Sequence, residues 1–453
     1  MIPIPFNPDD VPYIAEDLVY EQKEGDMHLV LAPELPNCVS VNDMGKNIIT
    51  TCDNQKTIRE ITEIISKKEG EPFDEALPKI VAFFNYLEDK KFAYPEGIPE
   101  PAEKKIPESL MELWLNITYK CNLRCKHCHS SFGTPLENEL TLEEIKNIIK
   151  EASVYNECKL FISGGEPFCR TDILDILKIA SDYFPDKVML ITNGTLITEK
   201  HADELAQLPI RIQVSLEGPD PESNDCIRGT GVFTKAVKTI RMLKERGIPP
   251  VVRMTLLKTN IHKIEEMIQF VEKEGLDFVS LGTLQRSGRA YEAVKDIDPS
   301  TDELIAVYRE IRVLDPDLSL IHFAEGLTPA VSRLEKYDLC GAGSAMLSVG
   351  ADGGVYPCAG LMYDEFLAGN IRDEPLEEIW KNSPVLKEFR ELSIEQIPGC
   401  NKCPIRFLCG GGCLVDIYWE HGNLYGKTPR CSLLHAMKWD ELKRTAYTKK
   451  KME

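Results

Sequence analysis

No uninterrupted apolar run in this 453-residue chain is long enough to cross a bilayer, which excludes a helical membrane span. The amino terminus also lacks a secretory signal: Met1-Ile2-Pro3-Ile4-Pro5 is soon followed by acids, without the cationic and then apolar stretches such a signal needs. Low-complexity repeats are missing. Positive charge is scarce, because 53 Lys and Arg stand against 73 Asp and Glu, a formal net charge of -20 that favours solubility and repels nucleic acid and anionic membranes. The first 100 residues carry 20 acids and 9 Lys or Arg, the wrong sign for a phosphate-binding surface. A cytoplasmic protein is therefore expected, with no nucleic-acid and no membrane partner. At 43% hydrophobic residues it can build two or three domains with real cores.

What the chain has in number is cysteine, and the spacing carries chemistry. Cys121-x3-Cys125-x2-Cys128 lies just past a predicted strand and can supply three thiolates to a four-iron cluster, leaving the fourth iron bare. A closed structural zinc site wants four protein ligands, so zinc is the lesser alternative. Between residues 111 and 285, short apolar runs alternate with helical patterns, which argues for parallel βα units. The runs begin at Leu113, Leu160, Val188, Arg211, Val251 and Phe278. Among the helix candidates, Leu142 to Ala152 is opened by Thr141 with Glu144 three residues on, a capping-box pattern. In parallel α/β barrels the loops after the strands carry the site. Here those loops hold Cys121 to Cys128, Gly164-Gly165-Glu166-Pro167, Thr192-Asn193-Gly194-Thr195 and Ser215-Leu216-Glu217-Gly218-Pro219.

The segment Cys121-Asn122-Leu123-Arg124-Cys125-Lys126-His127-Cys128 resembles the cluster loop of radical S-adenosylmethionine (SAM) enzymes. That resemblance implies a partial (β/α)6 barrel, a 4Fe–4S cluster whose open iron is chelated by the methionyl amine and carboxylate of SAM, and cleavage of SAM to a 5'-deoxyadenosyl radical. Gly164-Gly165-Glu166-Pro167 resembles the family's motif for the SAM amino group, with glycines that permit close backbone approach. Asn193, Ser215 and Arg228 are polar candidates for the SAM ribose or carboxylate; taken singly, each reads equally well as a turn or strand-end residue.

Seven further cysteines occupy the last quarter: Cys340, Cys358, Cys400-x2-Cys403-x5-Cys409-x3-Cys413 and Cys431. Such density argues for metal over disulfides. The array resembles the SPASM extension of peptide- and protein-modifying radical SAM enzymes, which holds auxiliary iron–sulfur clusters. By that resemblance Cys400, Cys403, Cys409 and Cys431 ligate an outer cluster, and Cys340, Cys358 and Cys413 an inner one nearer the active site, both of the 4Fe–4S type. A zinc ribbon over Cys400 to Cys413 is the alternative. Gly410-Gly411-Gly412 allow either close packing around a cluster or a turn that lets the cysteines converge. Two departures from sulfatase-maturing relatives stand out. The residue after Cys358 is Ala359 where those relatives carry a catalytic carboxylate, and Val331 to Leu339 lacks their additional cysteine. Formylglycine formation is thereby disfavoured, and the inner cluster is expected either to keep an open iron or to be closed by water or a non-cysteine side chain.

Pro95, Pro99, Pro101 and Pro107 mark a linker that sets the first hundred residues apart. Strand-like Met27 to Leu31 and Cys38 to Val41 precede helix patterns at Asp43 to Thr51, Thr57 to Lys67 and Glu75 to Asp89. Two strands followed by three helices are similar to the winged-helix peptide-recognition element of maturases of ribosomally made peptides, related to the peptide chaperone of pyrroloquinoline-quinone synthesis. In that family a leader peptide adds a strand to the sheet edge. The expected organisation is a recognition domain over 1–96, a linker over 97–110, the barrel over 111–310, a bridging segment over 311–339, the SPASM extension over 340–440 and a tail over 441–453, with helices around Asp302 to Leu314 where barrel passes into bridge. Cys38 and Cys52 are expected in cores, whereas Cys169 and Cys226 fall in loops at the expected catalytic face.

These resemblances imply a radical SAM maturase that takes a precursor peptide or protein and an electron donor such as flavodoxin or ferredoxin, with thioether formation as the preferred outcome. Maturation of a cofactor or metalloenzyme, by haem-type decarboxylation or in a tungsten oxidoreductase, is the second reading. A non-catalytic iron–sulfur carrier or peptide-binding scaffold is the third.

Overall fold

The computed structural model describes residues 5–22, 27–35, 37–100, 109–323 and 338–448. Three strands come first, β1 (Val19–Gln22), β2 (His28–Ala32) and β3 (Asn37–Val41), which form an antiparallel sheet in that order. Helices Asp43–Thr51, Ile58–Glu69 and Phe73–Asp89 follow. Their starts are coded locally: the Asn42 side chain accepts from the Gly45 amide, and Thr57 and Glu60 cap each other reciprocally. Val30, Ala32, Val39 and Val41 from the sheet meet Ile48, Ile61, Ile80 and Phe84 from the helices in one core. The sequence pointed to two strands here, and β1 is the one it missed. Its four residues, Val-Tyr-Glu-Gln, carry too little apolar alternation to signal a strand alone; pairing with β2 makes them one.

The second sheet has ten strands. β4 (Glu112–Asn116), β5 (Lys159–Ser163), β6 (Val188–Thr192), β7 (Ile210–Ser215), β8 (Val251–Leu256) and β9 (Val279–Thr283) run parallel and adjacent in chain order. These are the parallel units expected from the six apolar runs, in the partial barrel that the family resemblance implied. Two extensions were not legible: β10 (Ile321–Phe323) continues the parallel sheet beyond β9, and β11 (Met346–Val349) pairs parallel with β4 at the other edge. The hairpin strands β12 (Gly354–Tyr356) and β13 (Gly369–Asn370) complete that side. Among the described residues β10 and β13 are the terminal strands, so the barrel is open. Residues 101–108 of the expected linker and 324–337 of the expected bridging segment lie outside the described residues.

Alternation along the barrel strands separates two environments. Leu113, Leu115, Leu160, Ile162, Leu190, Val214, Val252, Met254 and Leu281 face the surrounding helices and are fully buried. Their neighbours Trp114, Phe161, Ser163, Gln213, Ser215, Arg253, Thr255 and Ser280 line a cavity instead. A parallel sheet ordinarily buries apolar side chains on both faces, so a polar inner face marks a binding chamber. Among the described residues no helix is long and apolar enough to cross a membrane.

Candidate active site

The chamber has a volume of about 620 Å³, and Cys121, Cys125 and Cys128 stand in its wall. Their loop is held from several sides by backbone bonds. The Lys126 amide donates to the Ile227 carbonyl at 3.0 Å, and the Ala290 amide reaches the Cys128 carbonyl at 3.3 Å. Arg289, from the segment after β9, donates from Nε to the Cys125 carbonyl and from Nη1 to the Phe132 carbonyl, both at 3.1 Å. A loop without regular secondary structure thus acquires a defined shape from its neighbours.

Gly164 and Gly165 explain how the second loop meets the first. The Gly165 amide donates to the Thr118 carbonyl at 2.8 Å and the Glu166 amide to the Lys120 carbonyl at 2.9 Å. A Cβ on Gly164 would stand 2.4 Å from the Thr118 carbonyl oxygen, and one on Gly165 would stand 2.3 Å from that of Lys120. The close approach made possible by glycine is therefore first of all an approach of protein to protein, at the root of the cysteine loop. Both glycines also line the chamber.

Glu166 and Pro167 are buried behind that lining. Glu166 accepts from the Thr192 hydroxyl at 2.7 Å, the Asn193 amide at 2.7 Å and the Phe168 amide at 3.2 Å, so its carboxylate braces the end of β6. Burial pushes its pKa up against these bonds. Pro167 opens the short 3-10 turn that follows. Asn193 lines the chamber and donates to the Asn122 side chain at 2.9 Å, joining the β6 loop to the cysteine loop. Ser215 lines it at the end of β7.

Arg228 also lines the chamber, and its environment could not be read from sequence. Glu217, from the loop after β7, accepts on one oxygen from Arg228 Nη2 at 2.6 Å and stands 2.9 Å from His127 Nε2. Its other oxygen accepts from the Thr255 amide at 2.7 Å. Burial works against ionisation of Glu217, yet the charges of His127 and Arg228 outweigh it and hold the carboxyl down at about 2. Arg228 Nη1 lies 4.0 Å from the Cys125 sulfur. Glu217, His127 and Arg289 were all missed as candidates; the only available signal for Glu217 was its place at the end of a barrel strand.

The seven cysteines of the last quarter fall into two groups. Cys340, Cys358 and Cys413 pack in one cluster with Leu339, Leu414 and Phe389; burial raises the Cys413 pKa most, and Asp416 and then the other two thiols add to it. Cys400, Cys403, Cys409 and Cys431 likewise act on one another. Burial pushes the thiols up, Cys121 and Cys409 to about 11 and Cys358 to about 12. Desolvated thiols in sets of three, three and four suit iron, which stabilises the thiolate form, better than isolated thiols. Among the described residues no three His, Cys, Asp or Glu come close enough to hold a single metal ion. The ligands of a four-iron cluster sit on different irons and have no need to. The donor sets therefore fit iron–sulfur clusters, with three protein ligands at two sites and four at the third.

Cys358, Ala359 and Gly360 border the same chamber as Cys121, Cys125 and Cys128. Gln285 spans the gap, with Nε2 3.9 Å from the Cys413 sulfur. The three glycines 410–412 all adopt left-handed backbone, φ 64°, 72° and 90°, so a turn only glycine makes easily separates Cys409 from Cys413. Cys169 and Cys226, expected at the catalytic face, do not line the chamber: Cys169 ends the short turn after Glu166, and Cys226 lies on the helix Pro221–Arg228 with its thiol directed to the Ser223 carbonyl.

Family models match three parts of the chain: the radical SAM superfamily at residues 115–271, an iron–sulfur cluster-binding domain (SPASM) at 340–404, and coenzyme PQQ synthesis protein D (PqqD) at 27–93. Mycofactocin maturase MftC of Mycobacterium tuberculosis is 32% identical over 346 residues, covering 74% of this chain and 86% of the relative. The AdoMet-dependent heme synthase of Methanosarcina barkeri is 29% identical over 337 residues, 70% of this chain and 94% of the relative. In fold, the chain is similar to Streptococcus suis SuiB bound to precursor peptide SuiA, with a TM-score of 0.62 at 16% identity, over 93% of this chain and 100% of that one. With its cysteine loop in the chamber wall and its two further cysteine groups beyond, this chain belongs to the radical SAM superfamily and carries both a SPASM and a PqqD-like domain.

Proposed function

We propose that this enzyme matures a ribosomally made precursor peptide, most directly by closing a thioether crosslink. One observation carries the reading: the chamber that holds Cys121, Cys125 and Cys128 is bordered by Cys358 of the inner cysteine group, so one substrate segment can face both. In this reading Cys121, Cys125 and Cys128 hold the cluster that binds SAM, with Gly164, Gly165, Asn193, Ser215 and Arg228 around the cofactor and Glu166 and Pro167 supporting them. Cys340, Cys358 and Cys413 hold the inner auxiliary cluster, and Cys400, Cys403, Cys409 and Cys431 the outer one. Bound there, these groups supply hydrogen abstraction from carbon and take up the surplus electron. A bond from that carbon to a cysteine sulfur removes two hydrogens from the peptide.

The chain's own part is to position. Glu217 fixes Arg228, and Arg289 and the glycines fix the cysteine loop. Trp114 and Phe161, stacked at 4.4 Å, with Arg253 and Gln213 form a chamber wall with both apolar and polar contacts for a side chain. Residues 1–96 recognise the peptide, consistent with the PqqD match, and the protein works in the cytoplasm with a flavodoxin or ferredoxin as electron donor. Likeness to a mycofactocin maturase supports a peptide substrate, whereas likeness to a heme synthase supports the second reading, decarboxylation of a cofactor. The PqqD-like domain, similar to a peptide-recognition element, favours the peptide.

The test is the intact mass of a candidate precursor after anaerobic co-expression, using the small cysteine-containing reading frame nearest the gene. A loss of two mass units per modification, dependent on Cys125, is the expected result. Unchanged mass with undiminished SAM cleavage would turn the assignment toward epimerisation, another peptide or a cofactor.

A further inference from the structure

We infer that the four-cysteine site is what docks the amino-terminal domain onto the rest of the chain, so that loading its cluster sets the position of peptide recognition. The consequence for catalysis rests on the peptide reading above; the docking itself does not.

β2 is buried along its whole length, although it belongs to a small three-stranded sheet. Val30 and Ala32 enter the domain's own core. Leu29 and Leu31 point the other way and pack with Ile405, Leu408 and Leu442, in a cluster that also takes in Cys403, Cys409 and Trp439. The strand register extends this face sideways: Val19 and Cys38 lie opposite Leu31 on β1 and β3, and both join the same cluster. A row across all three strands is thereby pressed against the site of Cys403 and Cys409.

Charged contacts join the same two bodies. Arg406, between the cysteines, donates from Nη1 to the Cys403 carbonyl at 3.1 Å and pairs through Nη2 with Glu34 of the amino-terminal domain. Lys443 pairs with Glu21 of β1 at 2.5 Å.

The four cysteines come from two separate pieces of chain, and both pieces make the docking face. Cys400, Cys403 and Cys409 lie on the segment that carries Ile405, Arg406 and Leu408; its only regular structure is the four-residue helix Arg406–Cys409. Cys431 is the first residue of the helix Cys431–Thr448, which carries Trp439, Leu442 and Lys443. Ligating one cluster ties the two pieces at a fixed spacing, as metal binding does in small domains with little secondary structure. The docking uses a sheet face, so a peptide strand could still add at a sheet edge.

The experiment uses the full chain, reconstituted anaerobically, with iron content and amide hydrogen exchange as readouts. Cys431→Ser should lose the iron of one cluster and raise exchange in residues 28–32 and 37–41 about tenfold, with β6 unchanged as the internal control. Cys340→Ser should lose iron at the inner site and leave 28–41 protected. Loss of outer-site iron without faster exchange at 28–41 would overturn the proposal. Leu31→Asp, which keeps every thiol, tests the reverse direction and decides the matter if Cys431→Ser also exposes β6: a chelator should strip outer-site iron several-fold faster, and an unchanged rate would likewise overturn it. None of these measurements uses product formation, so they stand or fall apart from the peptide mass.

Discussion

Arg228 is held by Glu217: its Nε and Nη2 reach the same carboxylate oxygen at 3.1 and 2.6 Å, in a pair whose side chains are 9% and 1% exposed. Nothing in the local sequence announces the pair, since the two residues lie eleven apart, one in a loop and the other at the end of a helix.

Removing one partner of such a pair leaves an unpaired charge out of water, which costs about 3–5 kcal/mol. Glu217→Gln is expected to lower the stability of the chain by that order in a denaturant titration. It should also slow 5'-deoxyadenosine release, because Arg228 loses its anchor beside Cys125. Wild-type stability in the variant would mean that the pair does not exist in solution.

Cys125→Ala is expected to abolish SAM cleavage in a reconstituted enzyme. Persistent 5'-deoxyadenosine, measured by chromatography, would sink the assignment of the cysteine loop.

Cys413→Ala should spare SAM cleavage more than product formation, since Cys413 belongs to the inner group and lies off the cluster loop. Equal loss of both would show the inner site to be structural only.

Gly165→Ala would bring a methyl group to 2.3 Å from the Lys120 carbonyl oxygen, and Gly164→Ala would add a backbone strained at φ 137°. Either should push the cysteine loop away from β5, at a cost of about 1–3 kcal/mol, and reduce iron bound at Cys121, Cys125 and Cys128. Full iron loading with unchanged thermal stability would refute the packing role.

A pH dependence is expected at the surface seam between barrel and extension. The Arg372 guanidinium, 2.6 Å from Glu144, holds that carboxyl at about 2, with help from the Thr141 amide. A depressed carboxylate pKa gives stability above its ordinary value of 4.5, and that stability is lost as pH falls toward about 2. Arg372→Ala should therefore cost no more than about 1 kcal/mol at neutral pH, since the pair is partly exposed, and the difference from wild type should shrink in acid. Urea midpoints of both proteins at pH 7 and near pH 3 would check it; a constant gap would contradict the pairing.

Much of the barrel was legible because the code for it is local. The helix Leu142–Ala152 begins where Thr141 and Glu144 form a capping box, and all six barrel strands coincide with apolar runs. β10 to β13 were not legible: they are two to four residues long, too short for a period to show, and exist because the sheet edges beside them offer hydrogen-bond partners. Cys38 reads in sequence as a small core residue. It does pack, but in a cluster shared with Cys403 and Cys409 from the far end of the chain.

By itself the sequence determined how many thiols the chain offers a metal and where along it they fall, because ligand chemistry resides in the thiols, whereas their division into groups came from a family resemblance and not from spacing. It also determined the parallel βα order and the presence of a separate amino-terminal unit. Only the tertiary structure decided what surrounds them: Glu217 under Arg228, two backbones meeting at Gly164 and Gly165, Cys358 opening onto the same chamber as Cys125, and β2 pressed against the four-cysteine site. Each of these joins residues distant in the chain, and such contacts follow from packing whole elements together, which no local pattern of residues specifies.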